Sequence, residues 1–295
     1  MSIDTPLARA AEAAINLKLG TTEKLPHPKQ TTIVTIANQK GGVGKTTTAV
    51  NLAAALAKHG LEILVVDTDP QGNASTALNI DHRVGTPDVY SVLVEEQDFA
   101  EVIKPVTDIE NLYCAPATID LAGAEIELVS LVAREYRLQR ALNKYLDFHK
   151  EKYKKTLDYV FIDCPPSLGL LTLNALVAAK EVLIPIQTEY YALEGLGQLM
   201  NNVNLVKKQL NPELEVATIV LTMFDSRTNL SQQVAEEVRK HFGDIVITTE
   251  IPRAVRVSEA PSFQQTVITY DPGSPGAQAY VKVAKEFAHR HSGGN

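Results

Sequence analysis

Two lysines and three glycines stand together in the segment Lys-Gly-Gly-Val-Gly-Lys-Thr-Thr at residues 40–47. The segment follows an apolar run typical of a strand and precedes a run typical of a helix, which is the context that a phosphate-binding loop needs. Gly41, Gly42 and Gly44 permit positive φ and close backbone approach, so successive N–H groups can face anionic oxygens. The positive end of the helix dipole favours the same anions. The segment therefore predicts a loop that binds the phosphates of a nucleotide.

Individual side chains of this loop can be given roles. Lys45 can reach the β- and γ-phosphates, and the hydroxyl of Thr46 can ligate Mg²⁺. Lys40 would repel Lys45 unless dense negative charge lay between them, so the second lysine itself favours a polyphosphate ligand. The predicted cofactor-binding residues are Lys40, Gly41, Gly42, Val43, Gly44, Lys45, Thr46 and Thr47.

Carboxylates end two other apolar runs, at Asp67 and Asp69 and at Asp163. Because an open α/β sheet binds its ligands at the carboxyl ends of its strands, we expect these side chains to lie near the phosphate loop. Asp67 and Asp69 are separated by one residue, so both side chains leave the strand tip on the same side. One Mg²⁺ ion and one attacking water need groups of this kind, and Asp163 fits a Walker B motif.

The elements that would position these residues alternate along the chain. Five apolar runs lack the alternation of a half-exposed strand, which favours parallel strands covered on both faces. These runs are residues 33–37, 63–66, 159–162, 182–186 and 217–223. Helical patterns lie between and after them, at residues 45–59, 119–150, 170–179, 193–209, 230–242 and 276–289. The predicted fold class is α/β: a doubly wound, mostly parallel sheet with helices on both faces, as in P-loop NTPases.

Composition sets outer limits on function. The chain has 295 residues, with 28 Lys and Arg against 35 Asp and Glu, giving a net charge of −7. This balance argues against a surface built as a whole to bind nucleic acid, although it leaves room for a local basic patch. Cys114 and Cys164 make no disulfide framework or zinc cluster. With no apolar signal region at the start and no uncharged run of about 20 residues, we expect a cytoplasmic protein.

The first 30 residues differ from the rest. Residues 7–18 fit a short amphipathic helix, and residues 20–30, with Pro26 and Pro28, are typical of a polar linker. A frayed tail is the alternative. We therefore predict an N-terminal extension at residues 1–30 and a single ATPase domain at residues 31–291.

The loop with its extra lysine resembles that of the ParA/MinD group of deviant Walker ATPases. In that group the lysine at the position of Lys40 crosses a dimer interface to the nucleotide of the other subunit. The resemblance thus implies ATP and Mg²⁺ as cofactors and a homodimer in the ATP state. It also implies that Asp69 positions the hydrolytic water, that Asp67 supports the metal shell and that Asp163 holds Mg²⁺ through water. The implied catalytic residues are Lys40, Lys45 and Asp69, and the implied metal residues are Thr46, Asp67 and Asp163.

Further segments are similar to chromosomal ParA (Soj-type) proteins: residues 67–73, 163–169, 185–196, 221–230 and 251–262. Ala254 departs from the pattern, because many relatives have Asn there. The resemblance implies a nucleoid-associated ATPase that is weak alone and is stimulated by DNA and a ParB-type centromere-binding protein. It would bind DNA nonspecifically and drive chromosome or plasmid segregation. Arg227 and Arg256 match the DNA-binding arginines of that family, and contacts to phosphates suit binding without sequence preference.

No motif in the sequence marks the residues that recognise adenine. Residues 222–225 and 251–253 follow late strands, so they are our candidates for the adenine contacts.

Three alternative functions compete with a ParA-type ATPase. A MinD-like membrane-associated ATPase would need a C-terminal amphipathic helix, whereas the last helix has core-facing spacing. An electron-transfer protein like the nitrogenase iron protein would use the two cysteines, but no further feature near Cys164 favours a cluster. A purely structural scaffold leaves the convergence of lysines and carboxylates unexplained.

Overall fold

The computed structural model describes Thr5 and residues 11–12, 14–17, 22–191 and 194–293. Residues 14–17 are helical, whereas most of the remaining predicted N-terminal helix lies outside the described residues.

Within the described residues, seven strands form one sheet. They are β1 (Thr32–Ile36), β2 (Ile63–Asp67), β3 (Lys104–Pro105), β4 (Leu112–Ala115), β5 (Tyr159–Asp163), β6 (Glu181–Gln187) and β7 (Glu215–Thr222). Their order is β3-β4-β2-β5-β1-β6-β7, and every pair is parallel except β3 with β4. Strands β2 to β5 lie on one side of β1 in the sheet, and β6 and β7 lie on the other side. The carboxyl end of β1 is therefore a topological switch point, where such sheets bind ligands.

Helices cover both faces of this sheet, and they are numbered here from the phosphate loop onward. They are α1 (Lys45–Lys58), α2 (Asn73–Ala77), α3 (Val89–Leu93), α4 (Phe99–Val102), α5 (Leu121–Glu127), α6 (Arg137–Tyr153), α7 (Leu170–Ala178), α8 (Glu194–Gln209), α9 (Asn229–Phe242), α10 (Val255–Glu259), α11 (Val267–Tyr270) and α12 (Pro275–His291). The predicted doubly wound α/β fold is confirmed.

The strands are buried on both faces because successive side chains enter different cores. On β5, Tyr159 and Phe161 pack with α1 and α12, while Val160 and Ile162 pack with the helices of the opposite face. Every residue of β2 and β5 is buried. The continuous apolar runs of the sequence thus reflect a sheet with no exposed face, as predicted.

The prediction of one helix over residues 119–150 is wrong. Helix α5 ends at Glu127, a short 3₁₀ turn follows, and Ala133 adopts a left-handed φ of 49° before α6 begins at Arg137. Tertiary contacts hold the break, because the amide of Asn174 on α7 donates to the carbonyl of Arg134. The apolar periodicity on either side of the break gave no sign of it.

Residues 22–30 run across the edge of the sheet where its parallel strands begin. The N–H of Leu25 donates to the carbonyl of His59 at 3.1 Å, and Leu25 belongs to the core beside α1. His27 Nδ1 lies 2.8 Å from the carboxylate of Asp158, the residue before β5. This part of the extension is therefore packed on the sheet rather than hanging free as a linker.

Helix α12 packs its apolar side into the core beside α1. The buried side chains include Tyr280, Ala284 and Phe287, as the core-facing spacing predicts. No helix among the described residues has the length and hydropathy to cross a bilayer. At the end of α12, the His291 ring packs 4.3 Å from the Phe287 ring, centroid to centroid.

His291 also ties α12 to β6 through a buried ion pair. Its Nε2 lies 2.8 Å from the carboxylate of Glu181, and its Nδ1 lies 2.8 Å from the carbonyl of Phe287. Both partners are acceptors, so the doubly protonated ring satisfies both. Burial alone would lower the pKa of His291, but the hydrogen bond and charge of Glu181 outweigh it and raise that pKa.

We predict that this pair makes stability depend on pH in one direction. Because the pKa of His291 is higher in the folded state, its contribution is fully present below the unfolded pKa of about 6.5 and is lost as pH rises through the folded pKa. His291→Gln should lower the free energy of unfolding by on the order of 1–3 kcal/mol at pH 6, and by less at pH 9. Urea unfolding at both pH values measures this difference. A loss that is equal at the two pH values would contradict the assignment.

Candidate functional site

The predicted phosphate loop lies between β1 and α1, at the switch point of the sheet. Gly42 and Gly44 have φ of 74° and 88°, a region that side chains with a Cβ rarely adopt. Gly44 is the N-cap of α1, and its carbonyl accepts from the N–H of Thr48 at 2.8 Å. The space beside Gly41 and Gly42 is open, since a Cβ built on either would meet no atom within 4 Å. The loop is thus shaped to admit an anion against its backbone.

Neighbouring strands hold the loop in this shape. The Asn38 amide donates to the carbonyl of Pro185 on β6 at 2.8 Å, and its oxygen accepts from the N–H of Lys40 at 3.0 Å. From β7, the Thr222 hydroxyl donates to the carbonyl of Val43 at 2.8 Å. Sequence reasoning missed both anchors. Asn38 lies directly after the first strand, a common place for a turn-forming amide, but its partners on β6 become visible only in the folded sheet.

Lys45, the first residue of α1, is buried and has a single weak hydrogen-bond partner among the described residues. Its Nζ donates to the carbonyl of Lys40 at 3.4 Å. Burial lowers the pKa of Lys45, while the nearby carboxylates of Asp163 and Asp69 raise it and so favour the charged form. A buried ammonium with so little pairing is suited to phosphate oxygens, which supply the missing counter-charge. The structure brings Lys45, Asp69 and Asp163 together as predicted.

Asp67 and Asp163 end neighbouring strands in direct register, and both are fully buried. Asp67 accepts three hydrogen bonds: from the N–H of Ser75 at 2.9 Å, from the Ser75 hydroxyl at 2.7 Å and from the N–H of Asp69 at 3.2 Å. Neither oxygen of Asp163 has a hydrogen bond of good geometry among the described residues, although the side chain of Thr46 lies close enough to lower the pKa of Asp163. Asp67 therefore shapes the turn after β2, while Asp163 keeps its lone pairs free.

The pKa values of this pair express the cost of burying two adjacent carboxylates. Burial raises the pKa of Asp67 to about 6, although its hydrogen bonds from Ser75 oppose the rise. Burial, followed by the neighbouring charge of Asp67, raises the pKa of Asp163 well above its usual range. A cation at this position relieves both effects. The donor set thus fits a magnesium ion bound by Asp163 and the hydroxyl of Thr46, with Asp67 behind.

Asp69 lies in the turn between β2 and α2, almost buried. Its carboxylate accepts from the N–H of Gln71 at 3.0 Å, and its carbonyl accepts from the N–H of Gly72 at 2.9 Å. These bonds fix the side chain of Asp69 on the side of Lys45, whose pKa it raises. A carboxylate held in this way can accept a proton or orient a water molecule.

Lys40 points to a different partner. Its Nζ lies 3.6 Å from the carboxylate of Glu189, in the segment after β6, and 37% of its side chain is exposed. The same carboxylate lies 3.3 Å from the guanidinium of Arg253. Arg253 was predicted only as part of a segment near adenine, and Glu189 was not among the predicted site residues. Sequence reasoning missed their contact with each other and with Lys40.

Arg227 and Arg256 lie on separate exposed segments, in the loop after β7 and on α10. Arg227 makes a two-pronged pair with Asp225, at 2.9 and 2.8 Å. This hydrogen bonding lowers the pKa of Asp225 to about 2. Arg256 lies 3.1 Å from Glu259 and 3.4 Å from Asp271. Within the described residues, the two arginines share no carboxylate partner.

The two segments proposed to contact adenine lie side by side. The N–H of Phe224 donates to the carbonyl of Ile251 at 2.9 Å, and the N–H of Arg253 donates to the carbonyl of Phe224 at 3.1 Å. Through Thr222 this paired segment also reaches the phosphate loop. The adenine contacts themselves stay a prediction.

Both cysteines are buried and unbridged. Burial raises the pKa of each thiol, so both are held as neutral, unreactive groups. In the part of the chain that the structure describes, no three His, Cys, Asp or Glu side chains are grouped so as to hold a metal ion. These cysteines therefore behave as small apolar core residues.

Known proteins match this chain over most of its length. A family model described as an AAA domain matches residues 31–216. The sporulation initiation inhibitor protein Soj of Bacillus subtilis is 56% identical over 87% of this chain and 98% of its own length. The chromosome partitioning protein ParA of Myxococcus xanthus is 50% identical over 88% of each chain. The chain belongs to the Soj/ParA family of chromosome partitioning ATPases.

A solved structure agrees with this assignment at the level of the fold. The cobyrinic acid a,c-diamide synthase of Mycobacterium smegmatis, crystallised with ADP and magnesium, has a TM-score of 0.76 and 35% identity. The match covers 90% of this chain and 97% of that one. The resemblance to ParA inferred from the motifs is thus confirmed, as is the P-loop fold.

We predict that the hydroxyl of Thr222 supports nucleotide binding by holding the phosphate loop through the carbonyl of Val43. Thr222→Val keeps the shape of this buried side chain but removes its hydrogen bond to Val43, which should loosen the loop of this Soj/ParA protein. A typical net value of about 0.5–1.5 kcal/mol corresponds to roughly two- to tenfold weaker binding of a fluorescent ATP analogue. Thr222→Ser retains the hydroxyl and serves as the control. Equal affinities for both variants would refute the role of the hydroxyl.

Proposed function

We propose that this protein is an ATP-dependent dimerising ATPase that binds DNA nonspecifically and segregates chromosomes or plasmids with a ParB-type partner. The observation that carries the ATPase is the buried group of Lys45, Asp69 and Asp163 beside a glycine loop at the switch point. The named Soj and ParA relatives support the segregation role. The catalytic unit in this proposal is residues 31–291, with residues 1–30 as an N-terminal extension.

Nucleotide binding follows from the loop and the residues around it. The backbone of residues 41–44 and the ammonium of Lys45 would hold the phosphates of ATP. The unpartnered oxygens of Asp163 would hold Mg²⁺ through water, with Thr46 as a direct ligand. When bound, the ion would neutralise charge on the β- and γ-phosphate oxygens. The diamide synthase structure with ADP and magnesium supports this pair of cofactors.

Hydrolysis then needs a positioned water and stabilisation of negative charge. Asp69, held by Gln71, would orient the water for in-line attack on the γ-phosphate. Lys45 would stabilise the charge that develops on the transferred group, at low cost because its ammonium is already buried and fixed. Lys40 of each subunit would reach the nucleotide of the other subunit and close the dimer.

We predict that Asp69→Ala slows ATP turnover by about 100-fold or more, because a positioned acid–base group typically contributes that much. ATP-dependent dimerisation should persist, since Lys40, Lys45 and the loop remain. Phosphate release is measured with and without nonspecific DNA and the candidate ParB.

A conservative variant serves as the control for Asp69. Asp69→Asn keeps an oxygen for the N–H of Gln71, so it should be as slow as Asp69→Ala while leaving the turn intact. Wild-type turnover that neither DNA nor ParB stimulates would argue against the segregation cycle. Unchanged turnover in both variants would argue against the role of Asp69.

The proposed DNA contacts are Arg227 and Arg256, with nucleoid association as the consequence. Both are exposed arginines able to exchange a carboxylate partner for a phosphate. The net charge of −7 then suits a conditional affinity: two weak patches act together only in the ATP dimer. The alternative is a MinD-like, membrane-associated positioning ATPase. It is disfavoured because the apolar side of α12 is used in the core, and sedimentation with anionic liposomes and ATP would test it.

We predict that Arg256→Glu abolishes ATP-dependent DNA retardation in gels while leaving ATP binding unchanged. Charge reversal replaces attraction to a phosphate by repulsion, and Arg256→Gln should reduce the log–log salt slope by about 0.9 for each phosphate that the arginine no longer neutralises. Arg83→Glu serves as the control, because Arg83, like Arg256, is an exposed arginine paired with a carboxylate, but it lies between α2 and α3. Wild-type retardation by Arg256→Glu, or equal loss in Arg83→Glu, would remove Arg256 from the interface.

A further inference from the structure

One carboxylate serves two cations at the edge of the site. Glu189 lies 3.6 Å from Lys40 Nζ through one oxygen and 3.3 Å from Arg253 Nη2 through the other. The Gln187 amide also donates to Glu189 and fixes it against the end of β6. The three charged residues come from the phosphate loop, the segment after β6 and the segment between α9 and α10, so only the folded chain brings them together.

Both cations are suited to phosphate. Lys40 belongs to the phosphate loop. The backbone of Arg253 is hydrogen-bonded to Phe224, and Phe224 is followed by Asp225, the partner of Arg227. A carboxylate offers lysine and arginine the same paired anionic oxygens as a phosphate group. Glu189 therefore gives Lys40 and Arg253 the kind of anionic partner that a phosphate group would give them.

We propose that Glu189 is an internal phosphate substitute, a positioning residue that restrains Lys40 and Arg253 until phosphates replace it. The inference rests on the proposed function, in which Lys40 leaves its own subunit to contact the nucleotide of the partner. Lys40 must break its pair with Glu189 to do so, and Arg253 must do the same to bind a phosphate of the nucleotide or of DNA. Glu189 thus raises the ATP concentration needed to close the dimer.

The solvent exposure of the three side chains indicates how strongly Glu189 restrains the two cations. The side chains of Lys40, Glu189 and Arg253 are 37%, 45% and 57% exposed, so solvent screens both pairs. Exposed ion pairs of this kind change an equilibrium by a small factor, about two- to fivefold. Such a restraint is weak enough for ATP to overcome and strong enough to set a threshold.

Glu189→Gln tests the inference, because it removes the charge and keeps the shape. It should lower the ATP concentration for half-maximal dimerisation, followed by light scattering, about two- to fivefold relative to wild type. Glu189→Asp keeps the charge but shortens the reach, so it should shift in the same direction if the contact matters. Glu213→Gln makes the same change of charge before β7, at the opposite edge of the sheet, and should leave the midpoint unchanged.

Two double variants test whether Lys40 and Arg253 are the cations that Glu189 restrains. Lys40→Ala should prevent dimerisation with and without Glu189→Gln; dimerisation rescued by Glu189→Gln would mean that the effect does not run through Lys40 and would overturn the proposal. Arg253→Ala in the Glu189→Gln background separates the sources of phosphate. A loss of affinity for a fluorescent ATP analogue assigns Arg253 to the nucleotide, and a loss of DNA retardation alone assigns it to DNA. No loss in either assay overturns its part.

The inference can fail on its own. If wild type dimerises with ATP but Glu189→Gln and Glu213→Gln have the same midpoint, Glu189 is not a restraint, while the proposed function stands. If wild type does not dimerise with ATP, the proposed function fails and this inference falls with it.

Discussion

The fold depends at its centre on the burial of two carboxylates side by side. Asp67 and Asp163 end adjacent strands in register, where water cannot reach either. Like charges in an apolar interior are costly, so the arrangement needs nearby positive charge or bound protons. Hydrogen bonds from Ser75 and Asp69 satisfy Asp67, and the ammonium of Lys45 lies near Asp163. Asp163 has little hydrogen bonding among the described residues, so this buried carboxylate is suited to bind a cation.

The sheet topology explains why these groups meet. Strands β2 and β5 bring the aspartates to one edge, and β1 delivers the glycine loop and Lys45 to the same edge. Strands β6 and β7 then hold the loop from the other side through Pro185 and Thr222. The strands β2 and β5 that carry the aspartates are buried along their whole length, so the backbone that carries the site is well supported, whereas loops at the carboxyl edge vary more readily.

The sequence was sufficient to predict those elements in which an apolar run ends in residues of functional chemistry. Strands β1, β2 and β5, the glycine loop and the three aspartates follow from apolar runs that end in special residues. Strands β3 and β4 were missed, because runs of two and four residues are too short to carry a pattern. The break in residues 119–150 was missed because tertiary hydrogen bonds maintain it. Ion pairs over long separations, such as Lys40 with Glu189, need the folded sheet and leave no trace in spacing.

The positions of the arginines bear on how a chain with a net charge of −7 could carry out the proposed DNA binding. Arg227, Arg253 and Arg256 all have carboxylate partners in one subunit, so none is an idle positive charge. An arginine that is already paired binds phosphate only by exchange, and the net gain of one exchange is small. Several exchanges must therefore occur together before DNA is held. In the proposed function, a dimer would double their number on one surface, which would raise the affinity for DNA far more steeply than either subunit could alone. Under the proposed function, the acidic chain would bind DNA only after assembly, because its own carboxylates compete with phosphate for the arginines of a single subunit.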